Sequence, residues 1–235
     1  MLEQARDKVR RHIRTHSERS AEDRAAISLL GTFLNPGGRI STDFAANDTW
    51  PNHDGTFEFV LNPEVSRRPT KNFLVQIKGT GVYTEKEGIV RYSLKSLAFP
   101  AYLYDSVTLD PGILFVVLDP EQRGAQRVFW KYMSVSFLNS IDFDHESVTI
   151  SFSADEEIRN TDESVAAFCK KLEAIVEHHS CINRLDSHTY TRHDVEGIIA
   201  ACDTEISESL DRLDIFNDTR DDVSRRILRR LDDLC

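Results

Sequence analysis

The sequence predicts an α/β fold, a mixed sheet flanked by helices and followed by a C-terminal helical region. Residues 112–118 form a continuous apolar run, which is typical of a strand covered on both faces. Residues 54–61 and 73–78 place polar and apolar side chains on opposite faces, as half-buried strands do. From Asn160 onwards the apolar spacing becomes helical. Strands mixed with helices in this way indicate layers rather than a helix bundle.

Two helices are predicted before the first strand. Residues 2–16 form a charged helix with a narrow apolar stripe, which favours a solvated or partner-facing helix. Ser20 is the predicted cap of a second helix, with Asp23 as its partner in a variant capping box, and Asn35-Pro36 ends that helix. Its predicted buried residues are Ala26, Ile27, Leu30, Phe33 and Leu34.

The remaining elements follow from apolar runs and turn residues. The glycines at positions 79 and 81 are expected to let the chain bend after the third strand. The last predicted helix runs to Cys235 without a cap. We therefore expect either a truncated chain or a helix that continues into a further domain. The predicted strands are 39–45, 54–61, 73–78, 89–94, 112–118, 128–137 and 147–152, with a short helical or irregular segment at 95–104 and C-terminal helices over 160–176, 195–213 and 223–234.

The length and the charge distribution limit the function classes. With 235 residues and 40% hydrophobic content, the chain can form one domain with an appendage or two small domains. The net charge is -10, from 29 Lys/Arg and 39 Asp/Glu. Residues 155–235 contain 11 of the basic and 20 of the acidic residues. The chain before position 155 therefore has 18 basic and 19 acidic residues. The nearly neutral N-terminal part can therefore carry a local basic groove.

No stretch of the sequence resembles a membrane or secretion signal. No apolar run reaches the roughly 20 residues of a membrane helix, and the basic N-terminus lacks the apolar segment of a signal peptide. We therefore predict a cytoplasmic protein without a membrane partner. Cys169, Cys181, Cys202 and Cys235 form no CxxC pair, which favours reduced thiols.

A group of polar residues on neighbouring strands indicates the candidate chemistry. Gln76 and Lys78 share one face of a strand, an arrangement that also fits a solvated edge. Asp54 begins the preceding strand, and Glu22 lies in the first turn of the second helix. Glu22 fits two roles equally, as a charge favoured by the helix N-terminus or as an active-site carboxylate. Carboxylates beside a cation are what metal-dependent phosphodiester hydrolysis needs.

The order of these residues resembles the PD-(D/E)XK nuclease superfamily in a Gln-x-Lys variant. A helix with Glu22 precedes Asp54-Gly, an acidic Glu58 follows four positions after Asp54, and Gln76-x-Lys78-Gly-Thr comes next. More narrowly, the order is similar to a bacterial family of unknown function. Its members resemble nuclease effector domains attached to NTPases in anti-phage defence.

The resemblance covers residues 20–137 and implies a restriction-endonuclease-like fold. It implies a nuclease domain over residues 1–155, and residues 156–235 are then a helical region for oligomerisation or partner binding. The implied substrate is nucleic acid, with double-stranded DNA favoured because the superfamily favours it. The implied partners are a second copy of the chain or an NTPase of a defence system.

The resemblance also implies a role for each site residue. Asp54 and Glu22 would bind Mg²⁺ or Mn²⁺, with the carbonyl oxygen of Ile77 as a further ligand. Gln76 would position the metal or a water, and Lys78 would orient the attacking water and stabilise the transition state. Gln76 replaces the usual acidic residue of the motif, which removes one negative charge from the site.

Several alternatives remain open at the level of sequence. The chain fits a catalytically inactive nuclease-fold module that binds nucleic acid or a protein partner, or a scaffold whose helices drive assembly. Trp130 and Tyr132 fit base stacking or, more commonly, a core position. A zinc site is a weak further option, because the spacings match no standard pattern. Its residues would be His178, His179, Cys181, His188 and His193.

Overall fold

The computed structural model describes residues 7–13, 20–34, 38–44, 52–61, 71–105 and 110–186, and it confirms the predicted α/β class. A mostly antiparallel sheet is flanked by helices. The predicted helices 195–213 and 223–234 lie outside the described residues. The elements are α1 (Ala21–Leu34), β1 (Ile40–Phe44), β2 (Gly55–Phe59), β3 (Lys71–Thr80), β4 (Thr84–Lys86), β5 (Ile89–Leu94), α2 (Ala98–Asp105), β6 (Gly112–Leu118), β7 (Arg127–Tyr132), α3 (Val135–Ser140), β8 (Val148–Phe152), a 3₁₀ helix (Ala154–Glu156), β9 (Glu157–Ile158) and α4 (Asp162–Asp186).

The main sheet has six strands in the order β1-β2-β3-β6-β7-β9. Strands β3 and β6 run parallel at its centre, and the other four pairings are antiparallel. Every residue of β6 is buried, as the apolar run predicts. Aromatic rings fill the core beside these strands: Phe57 stacks on Phe73 at 4.7 Å, and Phe168 of α4 meets Phe115 and Trp130 edge to face.

A second, antiparallel sheet of three strands, β4-β5-β8, covers one face of the main sheet. The ring of Phe152 in β8 lies 5.6 Å from the ring of Phe129 in β7. Phe129 pairs with Val116, and Val116 pairs with Lys78, so all three residues lie on one face of the main sheet. The small sheet therefore lies over the face that carries Lys78.

Helix α1 packs on β3, with its N-terminus directly against the strand. The hydroxyl of Ser20 accepts the backbone N–H of Asp23 at 3.0 Å, which confirms the predicted cap. The Asp23 side chain does not close the predicted capping box but is directed at β3. A Cβ on Gly79 would overlap the carbonyl group of Glu22, so the absent side chain permits this close approach.

Replacing Gly79 by alanine should destabilise the protein by about 3 kcal/mol, because the new Cβ meets backbone rather than a movable side chain. Thermal unfolding should then shift down by roughly 6–12 °C for a chain of this size. Gly31→Ala is the matched control, since no atom lies within 4 Å of its Cβ position. Helix propensity predicts a gain of about 0.5–1 kcal/mol there. Equal melting temperatures for the two variants would contradict the close approach at Gly79.

The structure corrects three predicted elements. The strand predicted over 128–137 ends at Tyr132, and α3 follows, with Ser134 accepting the N–H of Phe137 at 3.1 Å. The hairpin strand β4 was absent from the prediction because its three residues are all polar and exposed. Helix α4 begins at Asp162, two residues after the predicted start of that helix at residue 160, and the Thr161 hydroxyl accepts the N–H of Ser164.

The N-terminal segment is docked rather than solvated over residues 7–13. Val9 and His12 are buried, and the His12 ring donates from Nε2 to the carbonyl oxygen of Phe143 at 2.9 Å. Lys8 pairs with Asp144 at 2.6 Å. The prediction of a solvated helix is therefore wrong here, because the apolar stripe is packed on its own chain. Residues 1–6 and 14–16 of the predicted helix lie outside the described residues.

The chain divides into two compact units. The first contains both sheets and the start of α4 up to Phe168, and the second contains α3 and α4 from Cys169 onwards. The predicted division near residue 155 remains a prediction. In the described ranges, no helix combines the length and the apolar character that crossing a membrane requires.

Candidate functional site

The candidate site lies where the edge of β3 extends beyond its partner strand. Strand β2 pairs with β3 only as far as Val75. Beyond that point the backbone N–H of Ile77 donates to the carboxylate of Asp54 at 2.6 Å, and the N–H of Gly79 donates to the carboxylate of Asp23 at 2.9 Å. Alternate residues of a strand point to the same edge, so the two carboxylates cap positions about 7 Å apart. The carbonyl of Ile77 faces the same edge between them.

Asp54 precedes β2 and is held firmly in place. Its side chain is buried, and one carboxylate oxygen accepts both the Ile77 N–H and the amide of Gln76. Its own backbone N–H donates to the carbonyl of Val75. The contact confirms the proximity of Asp54 and Gln76 expected from the sequence. Gln76 is also buried, so the alternative of a solvated strand edge is wrong for this residue.

Lys78 provides the cation of the site. Its ammonium group lies 3.4 Å from the carboxylate of Asp23, and the side chains of Lys78 and Asp23 are 19% and 10% exposed. The Asp23 carboxylate bridges this ammonium and the backbone of Gly79 through its two oxygens. A partly buried ammonium is less screened by water than a surface lysine and interacts more strongly with an anion beside it. Its remaining exposure leaves it accessible to a ligand.

The acidic residue that pairs with Lys78 is Asp23, the neighbour of Glu22 in α1. Glu22 lies one position earlier in α1 with an exposed side chain. Glu58, the acidic residue four positions after Asp54, is exposed and pairs with Asn72 near the other end of the β2–β3 ladder. One feature of the sequence could have indicated Asp23: it is an acidic residue on the buried stripe of α1, three positions before Ala26.

A buried tyrosine is influenced by the carboxylates of Asp23 and Glu22. Tyr92 is on the inner face of β5, opposite Ile150, and is 9% exposed. Burial, followed by the charges of Asp23 and Glu22, raises the pKa of Tyr92 from 10.0 to about 12. The phenol therefore stays neutral, and the site gains a hydroxyl that does not add a third negative charge. No feature of the sequence had indicated Tyr92.

The raised pKa of Tyr92 predicts a loss of stability in alkaline solution. The unfolded chain releases this proton near pH 10.0 and the folded chain near pH 12, so the stabilisation is complete below pH 10.0 and declines as the pH rises towards 12. The decline amounts to at most about 3 kcal/mol, the free energy that corresponds to a shift of about two pKa units. Urea unfolding at increasing pH should show a smaller loss for Tyr92→Phe. Parallel losses in both proteins would contradict this environment.

The donor set suits a hard divalent cation. It contains the carboxylates of Asp54 and Asp23, the amide of Gln76 and the carbonyl of Ile77, and Mg²⁺ and Mn²⁺ prefer such oxygen ligands. Two carboxylates and the ammonium of Lys78 leave the site with a formal charge of about -1. Within the described ranges, no three His, Cys, Asp or Glu side chains form a metal-binding group by themselves. An ion at this edge would therefore depend on the amide and backbone oxygens as well.

The other sequence candidates lie elsewhere. Trp130 is buried against Phe168, so it is a core residue and does not stack on bases. Cys169 is buried in α4, and the reduced state of the four cysteines stays a prediction. The side chains of the histidine and cysteine group proposed for zinc, between positions 178 and 193, lie outside the described part of the structure.

The site thus combines two carboxylates, an amide, an ammonium and a neutral phenol at the point where β2 ends. The elements that supply them are the start of α1, the residue before β2, the C-terminal half of β3 and the inner face of β5. The chain matches no family model, and no curated protein or solved structure is significantly similar to it.

Proposed function

We propose that this chain is a metal-dependent nuclease of the PD-(D/E)XK type, with a restriction-endonuclease-like core, that hydrolyses double-stranded DNA. The observation that carries the proposal is the convergence of Asp54 with Gln76 at the β3 edge, two residues from Lys78 and its partner Asp23. These residues come from distant parts of the chain. A merely structural edge would not need a partly buried ammonium group beside the Asp23 carboxylate.

Asp54, Asp23 and Gln76 would hold the Mg²⁺ or Mn²⁺ ion, with the carbonyl of Ile77. The bound ion supplies Lewis acidity toward a phosphate oxygen and lowers the pKa of water. For Gln76 to serve as a ligand, its amide must turn its oxygen toward the ion, because the amide nitrogen now donates to Asp54. The proposal assigns Asp23 the ligand position that the sequence suggested for Glu22.

Lys78 would orient the attacking water and offset the negative charge that develops on the phosphate. Its ammonium has three N–H donors, and Asp23 engages it from one side. The remaining donors can bind a phosphate oxygen. Because the group is partly buried, its charge acts in a medium of lower dielectric than bulk water. The hydroxyl of Tyr92 stays neutral because burial and the charges of Asp23 and Glu22 raise its pKa.

The biological setting of the proposal rests on the resemblance in sequence. We place the nuclease in the cytoplasm as an effector of a bacterial anti-phage defence system. Its partners would be a second copy of the chain or an NTPase of that system, contacted through residues 156–235. Only α4 and the short elements before it are described in that region, and they extend to Asp186.

Cleavage of supercoiled DNA tests the proposal. Purified protein should nick or linearise the plasmid with Mg²⁺ or Mn²⁺ and should not do so in EDTA. Asp54→Ala should lack the activity, because it removes the carboxylate shared by Gln76 and the β3 backbone. Equal cleavage by the wild type and Asp54→Ala would overturn the assignment and indicate a contaminating nuclease.

A second candidate is a catalytically inactive module that binds nucleic acid or a protein. It is favoured by the state of Asp54, which is 3% exposed and already accepts two N–H donors. In that case Asp54 connects β2 to β3 and holds no metal. Isothermal titration with Mn²⁺ separates the candidates: the nuclease binds the ion and Asp54→Asn weakens binding, whereas the module shows no binding in either protein.

A further inference from the structure

We infer that the outward face of the small sheet β4-β5-β8 binds the phosphate backbone of double-stranded DNA, an inference that rests on the proposed nuclease function. The inner face of this sheet carries Tyr92, whose pKa is raised by burial and by the charges of Asp23 and Glu22. Its outer face points away from the core. We call it the outer sheet face, and its polar members are Lys86, Arg91, Ser93, Lys95, Thr149 and Ser151.

The register shows that these residues share one face. Arg91 pairs with Ser151, and Ser93 pairs with Thr149, while the alternate residues of β5 are buried. Lys95 continues the same alternation one residue beyond β5 and is exposed. Thr84 and Ile89 occupy the remaining outward positions of β4 and β5.

The outer sheet face carries no carboxylate, although the chain has a net charge of -10. Among the described residues, no acidic side chain pairs with Arg91 or Lys95, and the Lys86 ammonium lies 3.9 Å from the exposed Glu87 of the hairpin turn. An acidic protein repels a polyanion, so DNA can approach only where the local potential is positive. Cations next to hydroxyl groups are the usual donors to phosphate oxygens.

The composition of the face excludes other common partners. Ile89 is its single apolar member, so the face lacks the aromatic and aliphatic anchors of a protein interface. A membrane surface would also require buried apolar side chains for stable attachment. Hydroxyl groups and cations on an even, pleated surface fit the regular backbone of a duplex best.

The face also has a suitable position relative to the site. Strand β4 begins at Thr84, six residues after Lys78, so these residues are separated by at most about 20 Å. A duplex of a few helical turns is longer than this separation between the start of β4 and Lys78.

Binding of a fluorescent duplex in EDTA, measured by anisotropy over a range of salt concentrations, tests the inference without cleavage. The double variant Arg91→Glu/Lys95→Glu should bind at least tenfold more weakly. The slope of the logarithm of the binding constant against the logarithm of the salt concentration is negative. Its magnitude should be smaller by about 1.8 in the double variant, since each lost phosphate contact removes about 0.9. The control Arg123→Glu/Lys170→Glu makes the same charge change at exposed residues that belong to none of the strands β4, β5 and β8, and it should change affinity less than threefold.

Equal weakening in both variants, weakening in neither, or no binding by the wild type would overturn the inference. The cleavage assay separates it from the proposed function. A wild type that binds through the face but never cleaves leaves the inference in place and refutes the nuclease. A double variant that cleaves DNA as fast as the wild type at every salt concentration refutes the face and leaves the nuclease in place.

Discussion

Lys78→Ala is expected to reduce DNA cleavage by about a thousandfold while the protein stays folded. The ammonium lies 3.4 Å from the Asp23 carboxylate, and its loss removes a charge that stabilises the transition state. The Asp23 carboxylate keeps the N–H of Gly79 as a partner in the variant. Stability should therefore fall by only about 1–2 kcal/mol, less than the cost of breaking a fully buried pair. Single-turnover rates and thermal unfolding measure the two effects.

Lys71→Ala is the matched control for Lys78. Lys71 begins the same strand and also forms an ion pair, with Asp110 at 3.3 Å. It lies about 23 Å from Lys78 along the strand. The control should retain cleavage within about threefold, because no site group lies near it. If Lys78→Ala kept more than a tenth of the wild-type rate, or if both variants lost activity equally, the role assigned to Lys78 would be wrong.

Asp23→Asn should reduce cleavage by about a hundredfold, whereas Glu22→Gln should leave it nearly unchanged. The two substitutions remove the same charge from the same helix turn, so they change the interaction with the helix dipole alike. They differ in contacts, because only Asp23 pairs with Lys78 and accepts the N–H of Gly79. The asparagine can still accept that N–H through its oxygen. The loss should therefore lie mainly in the ion pair and in metal affinity.

Stability measurements complete this comparison. Asp23→Asn should cost about 2 kcal/mol, since the pair is largely shielded from water, and Glu22→Gln should stay within about 0.5 kcal/mol. Loss of cleavage in Glu22→Gln with normal activity in Asp23→Asn would reverse the assignment. The original prediction from the sequence would then be correct.

The sequence predicted the strands that carry the site because their residues alternate clearly. Period-two patterns and the fully apolar run of β6 define strands without tertiary information. The sequence placed Asp54 and Gln76 on successive strands, and the structure brings their side chains into contact. Strand β3 extends to Thr80, beyond the predicted end at Lys78, because Gly79 continues the strand instead of bending it.

The role of Asp23 could not be read from the sequence because it depends on how closely α1 approaches β3. Helical spacing indicates which side of α1 is buried, and Asp23 lies on that side. The helical spacing of apolar residues does not indicate which residue of β3 the N-terminus of α1 contacts. Gly79 marks the contact, because only a residue without a side chain permits the close approach of the Glu22 backbone. In the sequence, however, a glycine between Lys78 and Thr80 is explained more simply by a turn.

Short elements were missed for different physical reasons. Strand β4 has no apolar pattern, and it exists because the turn at Glu87 and Gly88, both with positive φ, folds it onto β5. Helix α3 follows the aromatic strand β7 so closely that the apolar residues of both read as one run. Tyr92 follows the ordinary alternation of β5, and the charges that act on it come from α1, so no local pattern in the sequence marks it.

The two aspartates on the β3 edge also affect how the folded protein behaves at high concentration. An unpaired strand edge is a template for joining strands of other molecules and so for aggregation. Asp54 and Asp23 accept the N–H groups at positions 77 and 79 and place negative charge along that edge. The same carboxylates that form the candidate site therefore protect the chain from edge-to-edge association.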